Sequence, residues 1–253
     1  MSTFQSVDDL NNRVAVIIGG TGAVGFATAK RLANLGATCV LIGRNAIEKG
    51  AAQVEQLQGG NHFCLNASVV DSASLVDAAK AVKARLGRCD ILVNTAGFTK
   101  PVPAANLDAL TDELIDDILK TNFRGVFASI RAFQSLLKAS GDGLIVNVSS
   151  IAGFTGVGSN LAYVAAKASL DIVSESLAKV LAPEIRVLCV SPGVVDSAFV
   201  PGRGDDFNDK TAASTPLKRI GSPDDVASAI EACATRLRFS TGTRIVVDGG
   251  RHL

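Results

Sequence analysis

Tyr163 and Lys167 carry the clearest capacity for proton chemistry, standing four apart in a stretch, Leu161–Leu181, whose apolar spacing predicts a helix. Positions four apart share a helix face, so the phenol and the ammonium are neighbours. An ammonium favours phenolate, and the spacing therefore predicts that Lys167 lowers the Tyr163 pKa toward working pH, where an acid–base group is most useful. Tyr163 is the single tyrosine of the chain, so its place beside Lys167 is not drawn from an abundant background. Ser150 follows the apolar run Leu144–Val148, and its hydroxyl can donate to a substrate oxygen that gains negative charge. The neighbouring Ser149 offers the same group and competes for the role. Asn122 interrupts the helical apolar pattern of Ile118, Leu119, Phe123, Val126 and Phe127, and reads as a site amide or a surface one.

Such a set needs a frame. Short apolar runs recur at Val14–Ile18, Thr38–Ile42, Phe63–Leu65, Ile91–Val93, Leu144–Val148, Val187–Val190 and Ile245–Val247. Helical spacing fills most gaps, at Ala27–Leu35, Ala46–Leu57, Leu75–Leu86, Leu114–Leu137, Leu161–Leu181 and Val226–Leu237. Strands alternating with helices imply crossover connections, and strands apolar on both faces imply a sheet covered on both sides. The expected fold is one α/β domain over residues 1–253: a doubly wound, Rossmann-type, seven-stranded, mostly parallel sheet with helices on both faces. Ser150 then falls at the carboxyl end of the fifth strand, where such sheets bind ligands. Val200–Thr215 has no readable periodicity and is expected to be an active-site lid or an unstructured segment.

Directly after the first strand runs Gly19-Gly-Thr-Gly-Ala-Val-Gly25, with Gly20, Gly22 and Gly25 at the G-x-G-x-x-G spacing. A glycine turn feeding a helix lets the backbone approach a pyrophosphate at the helix N-terminus. The second strand ends in Gly43-Arg44-Asn45, where an NAD-binding domain places an acid on the ribose 2′-hydroxyl. A guanidinium pairs instead with a 2′-phosphate, so NADP(H) is expected in preference to NAD(H).

Tyr163-Val-Ala-Ala-Lys167 with Ser150 and Asn122 resembles the catalytic set of the short-chain dehydrogenase/reductase family. Asp90-Ile-Leu-Val-Asn94-Thr-Ala-Gly97, Ser191-Pro192-Gly193, Pro216–Val226 and Val247-Asp-Gly-Gly250 resemble further motifs of that family, in its order, along nearly the whole chain. The resemblance implies that Lys167 also holds the nicotinamide ribose and that Asn122 anchors a water joining Lys167 to solvent. It implies cofactor contacts at Gly19, Thr21, Gly22, Val24, Gly25, Arg44, Asn45, Ser68, Val69, Asn94, Ala96, Gly97, Tyr163, Lys167, Pro192, Gly193, Val195 and Ser197, and a homotetramer. Three positions depart from its pattern. Ile18 and Ala23 replace the usual Thr and middle glycine of the turn, so that Gly19, Gly22 and Gly25 resemble the extended branch, although length and the C-terminal motif favour the shorter one. Ser68 replaces an adenine-contacting Asp, which predicts weaker cofactor binding. Asn94-Thr95 replaces a double Asn.

With Lys+Arg 25 against Asp+Glu 24, the net charge of +1 offers no long-range field for nucleic acid or an anionic membrane. The partner is expected to be a small carbonyl or alcohol. The polar start Met1–Arg13 lacks the pattern of a secretory signal, and no uncharged apolar run is long enough to span a bilayer, so a soluble cytoplasmic protein is expected. Cys39, Cys64, Cys89, Cys189 and Cys233 lack metal-ligand spacing and are expected to be buried, reduced thiols, with no metal site. The leading expectation is an NADP(H)-dependent oxidoreductase with Tyr163 as acid–base. Alternatives are a catalytically silent cofactor-binding sensor or scaffold, and a reductase of carrier-protein-bound 3-oxoacyl chains. The last calls for a basic docking face, for which Arg124, Arg131 and Lys138 share one predicted helix face. The substrate pocket is expected to be lined by Ser150–Gly153, Val194 and Ala198–Thr215, with Ala152 and Val194 giving an apolar wall.

Overall fold

The computed structural model describes residues 9–202, 204 and 206–253. Most of the polar N-terminus, together with Arg203 and Asp205 of the aperiodic segment, lies outside the described residues. Strands β1 (Val14–Ile18), β2 (Thr38–Gly43), β3 (Phe63–Asn66), β4 (Ile91–Asn94), β5 (Gly143–Val148), β6 (Ile185–Pro192) and β7 (Thr243–Val247) form one sheet in the order β3-β2-β1-β4-β5-β6-β7. Every neighbouring pair is parallel, so the sheet expected to be mostly parallel is wholly so. The order reverses between β1 and β4, which opens a crevice above the carboxyl ends of the strands.

The apolar runs are strands because both of their faces are covered. Val14, Val16 and Ile18 of β1 point into one core, with Leu75 and Ala78 of α3 (Ser72–Leu86), Val126 and Phe133 of α5 (Gly125–Ala139) and Leu170 of α7 (Leu161–Leu181). Ala15 and Ile17 point into the other, with Ala29 and Leu32 of α1 (Ala23–Asn34) and Val226 and Ile230 of α9 (Pro223–Thr235). Alternate side chains thus fill opposite layers. Helix α2 (Ala46–Val54) packs beside β3. All five cysteines are unpaired; Cys64 is half-buried and the other four are buried.

Three local features differ from the sequence reading. The single helix expected over Leu114–Leu137 is α4 (Asp112–Leu119), a π turn at Lys120–Arg124 and then α5. A wide turn of this kind frees backbone groups and is common at functional sites. A one-turn helix, α6 (Ala152–Thr155), follows Ser150 and Ile151, and the aperiodic segment contains α8 (Phe207–Ser214), whose only buried residue is Thr211. Ser191 and Pro192, beyond the run Val187–Val190 expected as the strand, continue β6 and pair with Val246 and Val247.

Candidate active site

The strand ends and their following loops enclose one groove of about 2010 Å³. That is more than a compact ligand needs and leaves room for a dinucleotide and a substrate together. Its floor at one end is the glycine turn. Gly19 holds φ +82°, and a Cβ on Gly25 would lie 2.3 Å from the Gly19 carbonyl oxygen, so neither position admits a side chain without the turn opening. Gly20 faces Leu41 of β2 rather than the groove, while Gly19, Gly22 and Gly25 line it. The working spacing is therefore Gly19-x-x-Gly22-x-x-Gly25. Helix α1 opens from Gly22 with no side-chain cap and no acid in its first turn, leaving its N–H donors and the positive end of its dipole for an anionic group.

Thr21, Val24, Arg44, Asn45, Ser68, Val69, Ala96, Gly97, Pro192, Gly193, Val195 and Ser197 all line the same groove. Arg44 is exposed at the end of β2, and Lys49 of α2, which sequence reasoning missed, joins it on the wall. These residues fit a phosphorylated dinucleotide: uncapped donors where a diphosphate would lie, and two cations, Arg44 and Lys49, beyond it. Asn94 does not line the groove. It is buried, with its amide donating to Asn147 at 2.8 Å and its oxygen accepting from Ser129 at 2.5 Å, so its side chain fastens β4 to β5 and α5.

At the other end stand Ser150, Tyr163 and Lys167. Asn160 caps α7 by accepting from the Tyr163 backbone N–H at 2.7 Å, and its amide ties the cap to the Lys100 carbonyl at 2.8 Å. Tyr163 thereby falls in the first turn of the helix. The Lys167 ammonium lies 5.6 Å from the Tyr163 ring centroid and donates to the Val148 carbonyl at 2.8 Å, at the end of β5. The two serines have separate tasks. Ser149 turns its hydroxyl to the Lys167 carbonyl at 3.3 Å, whereas the Ser150 hydroxyl bonds the Tyr163 phenol and accepts from the Ala152 N–H at 3.2 Å. Gly153, expected on the pocket wall, instead lets α6 approach α7: a Cβ there would lie 2.8 Å from the Lys167 carbonyl carbon.

The electrostatics reverse one expectation. Burial pushes the Tyr163 phenol up to about 12, and the Ser150 hydrogen bond offsets only part of that. Burial pulls the Lys167 ammonium down to about 8, opposed by Asp171 and the Cys189 thiol. The lowering of Tyr163 expected from its neighbour is not what governs the phenol: burial in low-dielectric surroundings disfavours phenolate and sets the direction of the shift. Phe199 contributes to that burial, its ring 6.1 Å from that of Tyr163 and against Gly97.

Asn122 sits on the π turn, fully buried, and does not line the groove. Its amide donates to the carbonyls of Phe98 at 2.7 Å and Ile118 at 2.9 Å, and its oxygen accepts from the Phe98 N–H at 3.1 Å. The surface reading is excluded; the side chain pins the Gly97–Phe98 loop to α4. Phe199, within the stretch expected on the pocket wall, lines the groove, and so do Phe98, Val157, Arg251 and His252, which were not expected there. No spacing marks them, because folding brings them together from separate loops. The expected basic face is largely engaged. Arg124 donates to the Val70 carbonyl at 2.7 Å and Lys138 pairs with Glu184 at 3.2 Å, which leaves Arg131 exposed between them.

Residues 20–252 match a family described as enoyl-(acyl carrier protein) reductase. Ketoacyl reductase 2 of the granaticin polyketide synthase of Streptomyces violaceoruber is 34% identical, over 95% of this chain and 96% of that one. The 3-oxoacyl-[acyl-carrier-protein] reductase of Escherichia coli is 31% identical, over 97% and 99%. Among solved structures, a dehydrogenase/reductase from Sinorhizobium meliloti superposes with a TM-score of 0.89 at 31% identity, over 100% of this chain and 99% of that one. A short-chain dehydrogenase/reductase from Brucella melitensis, described as a glucose/ribitol dehydrogenase, gives 0.89 at 28%, over 98% and 99%. With its wholly parallel seven-stranded sheet, its glycine turn and its Ser150, Tyr163 and Lys167 cluster, this chain belongs to the short-chain dehydrogenase/reductase family of oxidoreductases.

Proposed function

We propose that the protein is an NADP(H)-dependent oxidoreductase that acts at the carbonyl or alcohol carbon of a small substrate, with Tyr163 as the proton-transferring group. The observation that carries this reading is the convergence of Ser150, Tyr163 and Lys167 at one end of a groove whose other end is an uncapped helix N-terminus flanked by Arg44 and Lys49. The N-terminus of α1 holds the diphosphate and Arg44 the 2′-phosphate. The bound nicotinamide supplies the hydride chemistry. Ser150 donates to the substrate oxygen, and Tyr163 gives that oxygen its proton. With its phenol pushed up to about 12 by burial, Tyr163 is protonated at neutral pH and is able to donate. Lys167 fixes the nicotinamide ribose and places a positive charge beside the phenol, which stabilises the phenolate left by proton donation.

A 3-oxoacyl thioester is the substrate class to test first, because two relatives carry ketoacyl and 3-oxoacyl reductase names. A homo-oligomer, with the family's tetramer as first expectation, is in keeping with the exposed Ile172 and Val180 of α7. No helix among the described residues is long and apolar enough to cross a membrane, and cytoplasmic residence is part of the proposal. Steady-state rates with NADPH and NADH across ketones, aldehydes and 3-oxoacyl thioesters test the reading. Tight NADPH binding with no oxidation by any of them would favour the silent sensor.

A further inference from the structure

Lys167 is buried, and burial alone works against its charge. One acid opposes this from the same helix: Asp171, one turn further along the buried stripe of α7. Asp171 is itself only 4% exposed. Its Oδ2 accepts from Arg244 of β7 at 2.9 Å, and its Oδ1 has no hydrogen-bond partner among the described residues. The Cys189 thiol of β6 faces the same carboxylate, but burial holds that thiol up at about 12, so it stays neutral at working pH. Helix α6 brings only Phe154, whose ring lies 4.5 Å under the Arg244 guanidinium and fixes it. A half-satisfied carboxylate in a core costs stability, and an apolar residue would fill the same space without that cost. Arg244 does not explain it, since the Arg244 side chain is 32% exposed and its charge is screened by water, whereas the field of Asp171 is not.

We propose that Asp171 is a positioning residue for the reaction, its buried carboxylate holding the Lys167 ammonium charged and in register beneath Tyr163. Arg244 is the counterweight: it orients the carboxylate and moderates its charge. The proposal rests on the reading of Lys167 as a site residue.

The first test follows the 13Cε resonance of Lys167 through a pH titration of the protein without cofactor, with the signal identified by its loss in K167R. The midpoint should lie near 8 in the parent, fall in D171N and rise in R244Q. The second test is the pH profile of turnover with NADPH and an acetoacetyl thioester. The alkaline limb should move in the same two directions. In D171N, a midpoint lowered by one unit should drop the rate near pH 8 by about fivefold, and most of the loss should return as pH is lowered. A uniform loss at every pH with an unmoved Lys167 midpoint would make Asp171 a tether between α7 and β7 and overturn the proposal. If D171N does not fold, R244Q decides: an unmoved or lowered midpoint overturns it. Undiminished turnover in K167M would instead overturn the reading of Lys167 itself.

Discussion

Tyr163 is the only tyrosine and the chain has no tryptophan, so the ultraviolet change from phenol to phenolate in the native protein reports one group. With its midpoint raised from 10.0 to about 12 by burial, only about one per cent of the phenol ionises at pH 10, where a free tyrosine is half ionised. The sign of the linked stability follows. The folded state holds the proton more tightly than the unfolded chain, so the contribution is fully present below pH 10 and is lost as pH rises through about 12. A shift of two units corresponds to about 3 kcal/mol. Lys167 acts in the opposite sense over a lower window: with its folded pKa near 8 against 10.5, stability rises with pH between those values. A rapid pH jump with absorbance read before alkaline unfolding gives the midpoint in the native state. It should lie well above 10 in the parent and higher still in S150A, which loses the one hydrogen bond that favours phenolate. A midpoint at or below that of free tyrosine, in protein still native by circular dichroism, would refute the argument that burial governs the phenol.

Arg44→Asp should cut kcat/KM with NADPH by about 10- to 100-fold while sparing NADH, the scale of a lost charge-assisted pair, and an unchanged cofactor ratio would remove Arg44 from recognition. Gly25→Ala places its Cβ 2.3 Å from the Gly19 carbonyl, so NADPH affinity should fall at least tenfold in a calorimetric titration; an unaltered Kd would show that the turn can open freely. Phe199→Ala uncovers the phenol and should lower its titration midpoint and change KM more than kcat. A midpoint equal to the parent's would mean that Phe199 contributes nothing to the burial of Tyr163.

The five central strands were legible because each is apolar on both faces, which a doubly covered sheet requires, while the edge strands β3 and β7 are only partly buried. The cofactor turn was legible because glycine there is a steric need, although its effective triplet is Gly19, Gly22 and Gly25 rather than the one beginning at Gly20. Tyr163 and Lys167 were found by their spacing along one helix, whereas Ser150 was separated from Ser149 only by the family resemblance, and folding brings the three together. What escaped was set by competition between forces or by assembly from distant segments. The Tyr163 shift depends on how much of the protein closes over the phenol, which helix spacing does not encode. The π turn replaces a continuous helix where Asn122 bonds Phe98 and Ile118. Helix α8 escaped because it buries almost nothing and so has no apolar period. Lys49, Phe98 and His252 reach the groove from three separate segments, without a local signal.

The central claim is that Tyr163 moves the proton, and Tyr163→Phe tests it most directly because the ring and its packing remain. Turnover of a substrate established with the parent, and NADPH binding followed by the fluorescence of the reduced cofactor, are measured on the same preparation. The account predicts a loss of turnover of about 10²- to 10⁴-fold, the scale of general acid–base catalysis, with cofactor affinity close to that of the parent. Retention of most of the turnover in a variant that binds NADPH normally would contradict it.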